Sequence, residues 1–269
     1  MLEKYSSIYF IGIGGVGMSG LAGWCHEKKY NVLGYDRNEN QFTLLLKSKG
    51  IPIEHNVKKK INQKYFNTEN TLIVYTPAIK KTHILFSFFS DKNYKIIKRS
   101  ELLRYISSQY KVIAVAGTHG KTTVSIMIAH ILTSAGYEPS AFFGGFSLNY
   151  GSNYVVGSSN YMIIEADEYD RSFLKLNPSI SIITSIDQDH IDTYNSYVDM
   201  MNAYINFCNI TYNNWDRDVY KNPDFNSNIF MSEDASNKLS DVLLQKKRKW
   251  DYNTITVNLK SNQMVPLFP

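Results

Sequence analysis

Apolar runs of strand length alternate with segments of helical period through most of this chain. "SIYFIG" (7–12), "NVLGYD" (31–36), "TLIVYT" (71–76) and "KIIK" (95–98) read as strands, rich in β-branched and aromatic residues. Between them a small-residue helix is predicted from Gly17 to about Lys29, and "QFTLLLKSKG" (41–50) predicts a second helix closed by Gly50. "SELLRYISS" (100–108) predicts a third, with Ser100 as its N-cap. The pattern then restarts. "KVIAVAG" (111–117) is a buried-strand run, followed by a glycine turn and a helix from about Lys121 to Ala135, ended by Gly136. "YMIIEA" (161–166) and "SIITSI" (181–186) predict further strands, and a helix is expected from about Ser196 to Cys208.

Strands and helices alternating at this spacing predict an α/β protein with parallel, doubly wound sheets. The restart places a domain boundary near 108–110, giving residues 1–108 and 109–269 as two domains. After about residue 210 the period is lost. "TYNNWDRDVYKNPDFNSN" (211–228) reads as a loop or partly disordered stretch, "KLSDVLLQKKRKW" (238–250) as a short helix and "TITVNL" (254–259) as a last strand.

Composition narrows the class. A chain of 269 residues with 43% hydrophobic content can bury the cores of two domains of about 100 to 200 residues each. The excess of Lys and Arg over Asp and Glu, 29 against 24, is mild and spread out; it suits a small anionic substrate and is no nucleic-acid signature. "KKRK" (246–249) reads as a solvated helix face. Cys25 and Cys208 have no metal-ligand spacing, so a reduced, cytoplasmic setting is expected. The N-terminal residues lack a signal peptide's apolar stretch, and no window approaches the roughly 18 uncharged apolar residues of a membrane helix, so no membrane partner is expected.

Two glycine loops carry the candidate chemistry. In "GIGGVGMSG" (12–20), Gly12, Gly14 and Gly17 stand in G-x-G-x-x-G spacing. Such glycines allow a tight turn, backbone approach to a pyrophosphate, and packing of the helix on the sheet, while the helix N-terminus offers free N–H groups. Asp36 ends the next strand, where a ribose hydroxyl is usually held. By these rules NAD is the leading ligand, and the fingerprint itself does not separate NAD from another nucleotide diphosphate.

The second loop, "AGTHGKTT" (116–123), lies between a strand and a helix. It is a variant P-loop, with Val115 at the first glycine position of G-x-x-x-x-G-K-[ST]. Gly117 and Gly120 bare backbone N–H groups, Lys121 reaches the β- and γ-phosphates, and the Thr122 hydroxyl can sit on Mg²⁺. Glu165 ends one later strand; Asp187, Asp189, His190 and Asp192 follow another, at the carboxyl ends of strands, where ligands bind in open parallel sheets. His130, inside the helix, reads as a packing residue.

"FIGIGGVGMSGLA", "TPAI", "KRSELL", "AVAGTHGKTT", "EADEYDRSFL" and "DQDHIDTY" occur in this order between about residues 5 and 210. Together they are similar to the Mur ligases, most closely the alanine-adding branch. The resemblance implies a Rossmann-like N-terminal domain that binds a UDP-sugar and a P-loop-type α/β central domain that binds ATP. It implies UDP-N-acetylmuramate contacts at Gly14, Gly15, Val16, Gly17, Met18, Ser19 and Asp36, with Thr76, Pro77 and Ala78 near the same ligand. It implies ATP at Gly117, Thr118, His119, Gly120, Lys121, Thr122 and Thr123, and Mg²⁺ at Thr122, Glu165 and His190. Lys121, Glu165 and His190 would serve catalysis. The implied reaction joins L-alanine to the sugar acid through an acyl phosphate in peptidoglycan precursor synthesis. Residues 191–210 contain no Lys, so the carbamylated lysine of some relatives is absent. The likeness fades near 210; an incomplete central domain, an absent C-terminal domain and thus a truncated form are expected. An NAD-dependent oxidoreductase, favoured by the first loop alone, and a non-catalytic nucleotide-binding remnant are the alternatives. A murein-peptide-recycling ligase shares the ATP chemistry.

Overall fold

The computed structural model describes residues 2–57, 67–169, 171–188, 193–215, 228–245 and 254–257. In chain order the first elements are β1 (Ser7–Ile11), α1 (Val16–Glu27), β2 (Asn31–Tyr35), α2 (Gln41–Ser48), β3 (Ile53–Glu54), β4 (Thr71–Tyr75), α3 (Ile84–Asp91), β5 (Lys95–Lys98) and α4 (Arg99–Ser107). There follow β6 (Lys111–Ala116), α5 (Lys121–Ser134), β7 (Ser140–Ser147), β8 (Ser152–Val155), β9 (Tyr161–Glu165) and β10 (Ile180–Ile183). The last are α6 (Tyr197–Trp215), β11 (Ile229–Ser232), α7 (Glu233–Gln245) and β12 (Thr254–Val257).

The chain forms two compact units that are not consecutive halves. The first comprises residues 1–111 and 125–163, the second 112–124 and 164–269. In the first, a five-stranded parallel sheet has the order β3-β2-β1-β4-β5. Every residue of β1 is buried, as a strand flanked on both sides requires. Ser7 of β1 aligns with Asn31 of β2 and with Thr71 of β4, so the strand order reverses at β1. Its carboxyl end is therefore the crevice where open α/β sheets receive ligands. A core of Tyr9, Ile11, Tyr35, Ile73, Leu85 and Phe89 lies on one face.

The same unit holds the antiparallel pair β7–β8, with Phe142 opposite Tyr154 and a register shift before Ser147 reaches Ser152. The pair packs on α1 because that helix carries glycine where the strands come close. A Cβ at Gly23 would stand 2.3 Å from the Tyr154 ring, and one at Gly20 would stand 3.4 Å from Asn153. The apolar content of α1 thus serves both sheet and hairpin.

In the second unit, parallel strands run in the order β12-β11-β10-β6, and the Ala166 N–H just past β9 bonds the Val115 carbonyl of β6 at 2.8 Å. Phe173 stacks on Phe207 of α6 at 5.0 Å between ring centroids and meets Tyr204 edge-on at 5.4 Å.

Some sequence expectations are corrected. Helix α4 starts at Arg99, with Lys98 as N-cap and Ser100 inside; the Glu101 carboxylate accepts the Lys98 N–H at 2.7 Å and caps the first turn instead. Helix α6 continues through the Asn-rich stretch to Trp215, held by Thr211 against Ser181 and by Asn214 Nδ2 donating to the Pro178 carbonyl at 3.3 Å. Helix α7 begins at Glu233, five residues before the predicted start. His130 is exposed on α5 rather than packed inside. The "KKRK" run lies outside the described residues.

Candidate functional site

The first glycine loop leaves β1 at Gly12, whose φ of +87° is the turn that glycine tolerates best. A Cβ there would press on Thr76 Cγ2 at 3.0 Å, so the loop and the start of "TPAI" lie side by side at the crevice. Pro77 and Ala78 follow, both exposed. Gly14 is required by close approach, though the approaching group belongs to the protein. A Cβ would stand 2.7 Å from Thr43, 2.9 Å from Asp36 Oδ2 and 3.0 Å from Asn40. Asp36 Oδ2 accepts the Gly14 N–H at 2.8 Å, and Oδ1 accepts the Asn38 N–H at 3.1 Å. Asn40 donates to the Gly14 carbonyl at 3.1 Å while its own carbonyl oxygen caps α2 through Phe42 and Thr43. Asp36 therefore braces the loop directly.

Gly17 corrects a sequence expectation. The group against it is Arg99 of α4, whose Nη1 lies 2.0 Å from a built Cβ, and not a strand of the sheet. Gly15 is exposed, Val16 and Gly17 are half-buried, and Met18 and Ser19 are each 1% exposed. Met18 is core, and the Ser19 hydroxyl donates to the Val16 carbonyl. Asn153 of β8, which the sequence did not single out, reaches this turn: its Nδ2 donates to the Val16 carbonyl at 2.6 Å and to Ser19 Oγ at 3.0 Å. Helix α1 has Gly15 as N-cap with no side-chain cap bond, so no cap side chain takes up its first amides.

The second loop joins β6 to α5. Gly117 has φ +130° and Gly120 +81°. At Gly117 a Cβ would meet Thr184 Oγ1 at 2.2 Å and the Ser185 backbone at 2.8 and 2.9 Å. The segment 184–187 forms the floor of the loop. The Thr118 N–H donates to the Ser185 carbonyl at 2.9 Å and the His119 N–H to Ser185 Oγ at 3.0 Å. The Asp187 N–H donates to Thr118 Oγ1 at 2.8 Å. Two loop amides thus face the floor, whereas the N–H groups of Gly120, Lys121, Thr122 and Thr123 open the helix and have no intrahelical acceptor. His119 is exposed, its Nε2 3.8 Å from Asp187 Oδ2. Lys238 of α7 holds Asp187 Oδ1 at 2.9 Å, which fixes that acid as part of the frame.

Helix α5 and the end of β9 bring the predicted side chains together. Thr122 Oγ1 donates to Glu165 Oε1 at 3.0 Å. A hydroxyl and a carboxylate side by side at a glycine loop are hard oxygen donors of the kind that Mg²⁺ takes. Among the described residues no group of three His, Cys, Asp or Glu is assembled, and His190 lies outside them, as do Asp189 and Asp192. Lys121 Nζ donates to the Gly117 carbonyl and to Glu168 Oε1 at 2.9 Å. Glu168 is buried. Burial raises its carboxyl above the usual range, and the nearby Lys121 ammonium only partly offsets this. Sequence reasoning missed Glu168; the available cue was a second glutamate three residues beyond Glu165, just past a strand end.

Among the described residues no helix is long and apolar enough to cross a membrane, and Cys25 and Cys208 are buried and unbridged. Residues 7–111 match the Mur ligase family catalytic domain, and residues 115–265 match the Mur ligase middle domain. The UDP-N-acetylmuramate–L-alanine ligase of Cytophaga hutchinsonii is 41% identical over 212 residues, 76% of this chain and 46% of its own length. That of Phocaeicola vulgatus is 44% identical over 195 residues, 72% of this chain and 43% of its own. The chain thus spans about half the length of the curated relatives it matches. Among solved structures, UDP-N-acetylmuramate–alanine ligase from Thermotoga maritima matches with a TM-score of 0.72 at 25% identity, over 93% of this chain and 52% of that one. The UDP-N-acetylmuramate:L-alanyl-gamma-D-glutamyl-meso-diaminopimelate ligase from Neisseria meningitides shares the fold, with a TM-score of 0.76 at 22% identity over 94% of this chain and 78% of that one.

Proposed function

The chain belongs to the Mur ligase family, and from that premise we propose that it binds UDP-N-acetylmuramate at the first glycine loop and ATP at the second, for the ligation of L-alanine to the sugar acid. The observation that supports this most is the convergence of Lys121, Thr122 and Glu165 at the turn between β6 and α5. Phosphoryl transfer needs little covalent chemistry from the protein; it needs the reacting oxygens positioned and their charge screened.

In the proposed reaction a carboxylate oxygen of the lactyl group attacks the γ-phosphorus of ATP, ADP leaves, and an acyl phosphate forms. The amine of L-alanine then attacks the acyl carbon, and inorganic phosphate leaves. Both first-step reactants are anionic, so Lys121 serves to offset their repulsion and to hold the β- and γ-phosphates. Thr122 and Glu165 would hold Mg²⁺, with His190 as a further ligand, and the ion when bound would supply charge neutralisation. Gly14 to Ser19, Asp36 and Thr76 to Ala78 shape the sugar-nucleotide crevice, chiefly through backbone groups where the side chains are buried. A chain that uses these two nucleotides would act in the cytoplasm.

Calorimetry on the chain with MgATP, UDP-N-acetylmuramate and NADH tests the binding assignments. MgATP and the UDP-sugar are expected to bind, and Lys121→Ala to bind ATP more weakly while keeping its affinity for the sugar nucleotide. Binding of NADH without UDP-N-acetylmuramate would overturn the first site. Phosphate release that requires ATP, the UDP-sugar and L-alanine together tests the ligation itself.

A further inference from the structure

The sequence motif explains why a lysine stands at position 121 but not why a buried acid faces it. The Lys121 side chain is 14% exposed and that of Glu168 2%, and Nζ lies 2.9 Å from each carboxylate oxygen. An ammonium has three N–H donors. Here their acceptors are the Gly117 carbonyl, the Glu168 carboxylate and, at 3.4 Å, the Thr118 carbonyl. A phosphate oxygen that takes one of these donors must displace an acceptor. The two carbonyls belong to the loop backbone. Glu168 is the anion among the three, so exchanging it for phosphate replaces charge with charge.

The backbone that carries Glu168 is tied down from several sides. The Glu168 carbonyl accepts the Tyr194 hydroxyl at 2.7 Å and the Arg171 N–H at 3.0 Å. The Asp167 carbonyl accepts the Phe173 N–H and Ser172 Oγ, each at 3.2 Å. Arg171 turns the chain in the left-handed region at φ +57°, pairs with Asp199 and lies over the Tyr194 ring at 4.9 Å. Lys121 stands on a flexible four-carbon stem. In an exchange the lysine moves and the acid stays.

We infer that Glu168 is a positioning residue for Lys121, an internal anion that competes with the triphosphate for the same ammonium and so lowers ATP affinity. This rests on the assignment of ATP to the second loop. Glu168→Gln keeps the shape and removes the charge, so ATP should bind more tightly, by at least about threefold, since hydrogen bonds to charged groups are the strong ones. AMP, which has no β- or γ-phosphate for Lys121 to reach, should bind unchanged. In a Lys121→Met background, Glu168→Gln should have no effect on ATP.

The test is isothermal titration of ATP and AMP into the chain and its E168Q, K121M and K121M/E168Q variants. Circular dichroism and melting curves report folding. Tighter ATP binding by E168Q that vanishes with K121M supports the inference. Equal or weaker ATP binding by a folded E168Q overturns it; loosened packing alone would weaken binding, not tighten it. If E168Q does not fold, Glu168→Asp carries the test, because the shortened acid reaches Nζ less well: tightening supports the competition and no change refutes it. Failure of the unsubstituted chain to bind ATP would remove the ATP assignment itself, and this inference with it. That outcome is distinct from ATP binding that E168Q leaves unimproved.

Discussion

Alanine at Gly117 should be among the more destabilising single-methyl additions in this chain, and Gly136 supplies the control. Gly117 has φ +130°, and its added Cβ would lie 2.2 Å from Thr184 Oγ1 and under 3 Å from both the nitrogen and the oxygen of Ser185. Thr184 could rotate; the Ser185 backbone cannot, because its carbonyl holds the Thr118 N–H and its neighbour Thr184 is bonded to Ala116. Gly136 has φ +81°, and nothing stands within 4 Å of its would-be Cβ. Gly136→Ala therefore carries only the conformational cost, about 1–2 kcal/mol. Gly117→Ala adds overpacking of about 1–3 kcal/mol to a backbone strain of about 1–3 kcal/mol, roughly 2–6 kcal/mol together. Urea unfolding of both variants measures the difference. A Gly117→Ala chain no less stable than Gly136→Ala would refute the argument that the floor at Ser185 makes this glycine obligatory.

Two further outcomes follow from other parts of the first unit. Asp36→Ala strips the acceptor from the buried Gly14 N–H and should cost about 1–3 kcal/mol in urea unfolding, with weaker UDP-N-acetylmuramate binding; a loss under about 0.5 kcal/mol would show that the brace is dispensable. Burial raises the Glu27 carboxyl, but hydrogen bonds from Lys49 and Tyr154 outweigh it and leave the group below the usual range. The stability it contributes is present above the ordinary glutamate value and lost as pH falls through the depressed folded one. The melting temperature of Glu27→Gln should therefore fall less steeply with acid than that of the unsubstituted chain, and parallel curves would exclude the linkage.

What the sequence disclosed was periodic and local. The strands β1, β2, β4, β5, β6 and β9 were legible as apolar runs, and both glycine turns were legible because their spacing reflects backbone conformation. What it concealed was tertiary. Helix α3, "ILFSFFSD", spans about two turns, so its buried pair Leu85 and Phe89 and its polar Ser87, Ser90 and Asp91 give too short a period to read. The β7–β8 pair is interrupted by Gly144 and Gly145 and carries a register shift, so strict alternation is broken. Residues 211–215 read as the start of a loop by composition, yet Thr211 and Asn214 bond to the β10 region and keep α6 helical, tertiary contacts overriding weak propensity. At the site, Thr122 was named by the loop motif and Glu165 by its place at a strand end, and the family resemblance paired them; Glu168 and Asn153 were not singled out, since only folding sets them beside Lys121 and Val16.

The bonds from Asn153 to Val16 and Ser19 join residues 137 and 134 positions apart. The crevice beside the first glycine loop is thus not a cassette ending where the second strand-turn-helix pattern begins. An excised piece stopping at residue 111 would keep all three glycines and every parallel strand of its sheet, yet would strip the opening turn of α1 of two donors and bare the glycine face on which Tyr154 rests. Anyone transplanting this loop into another scaffold would have to carry the distant hairpin with it.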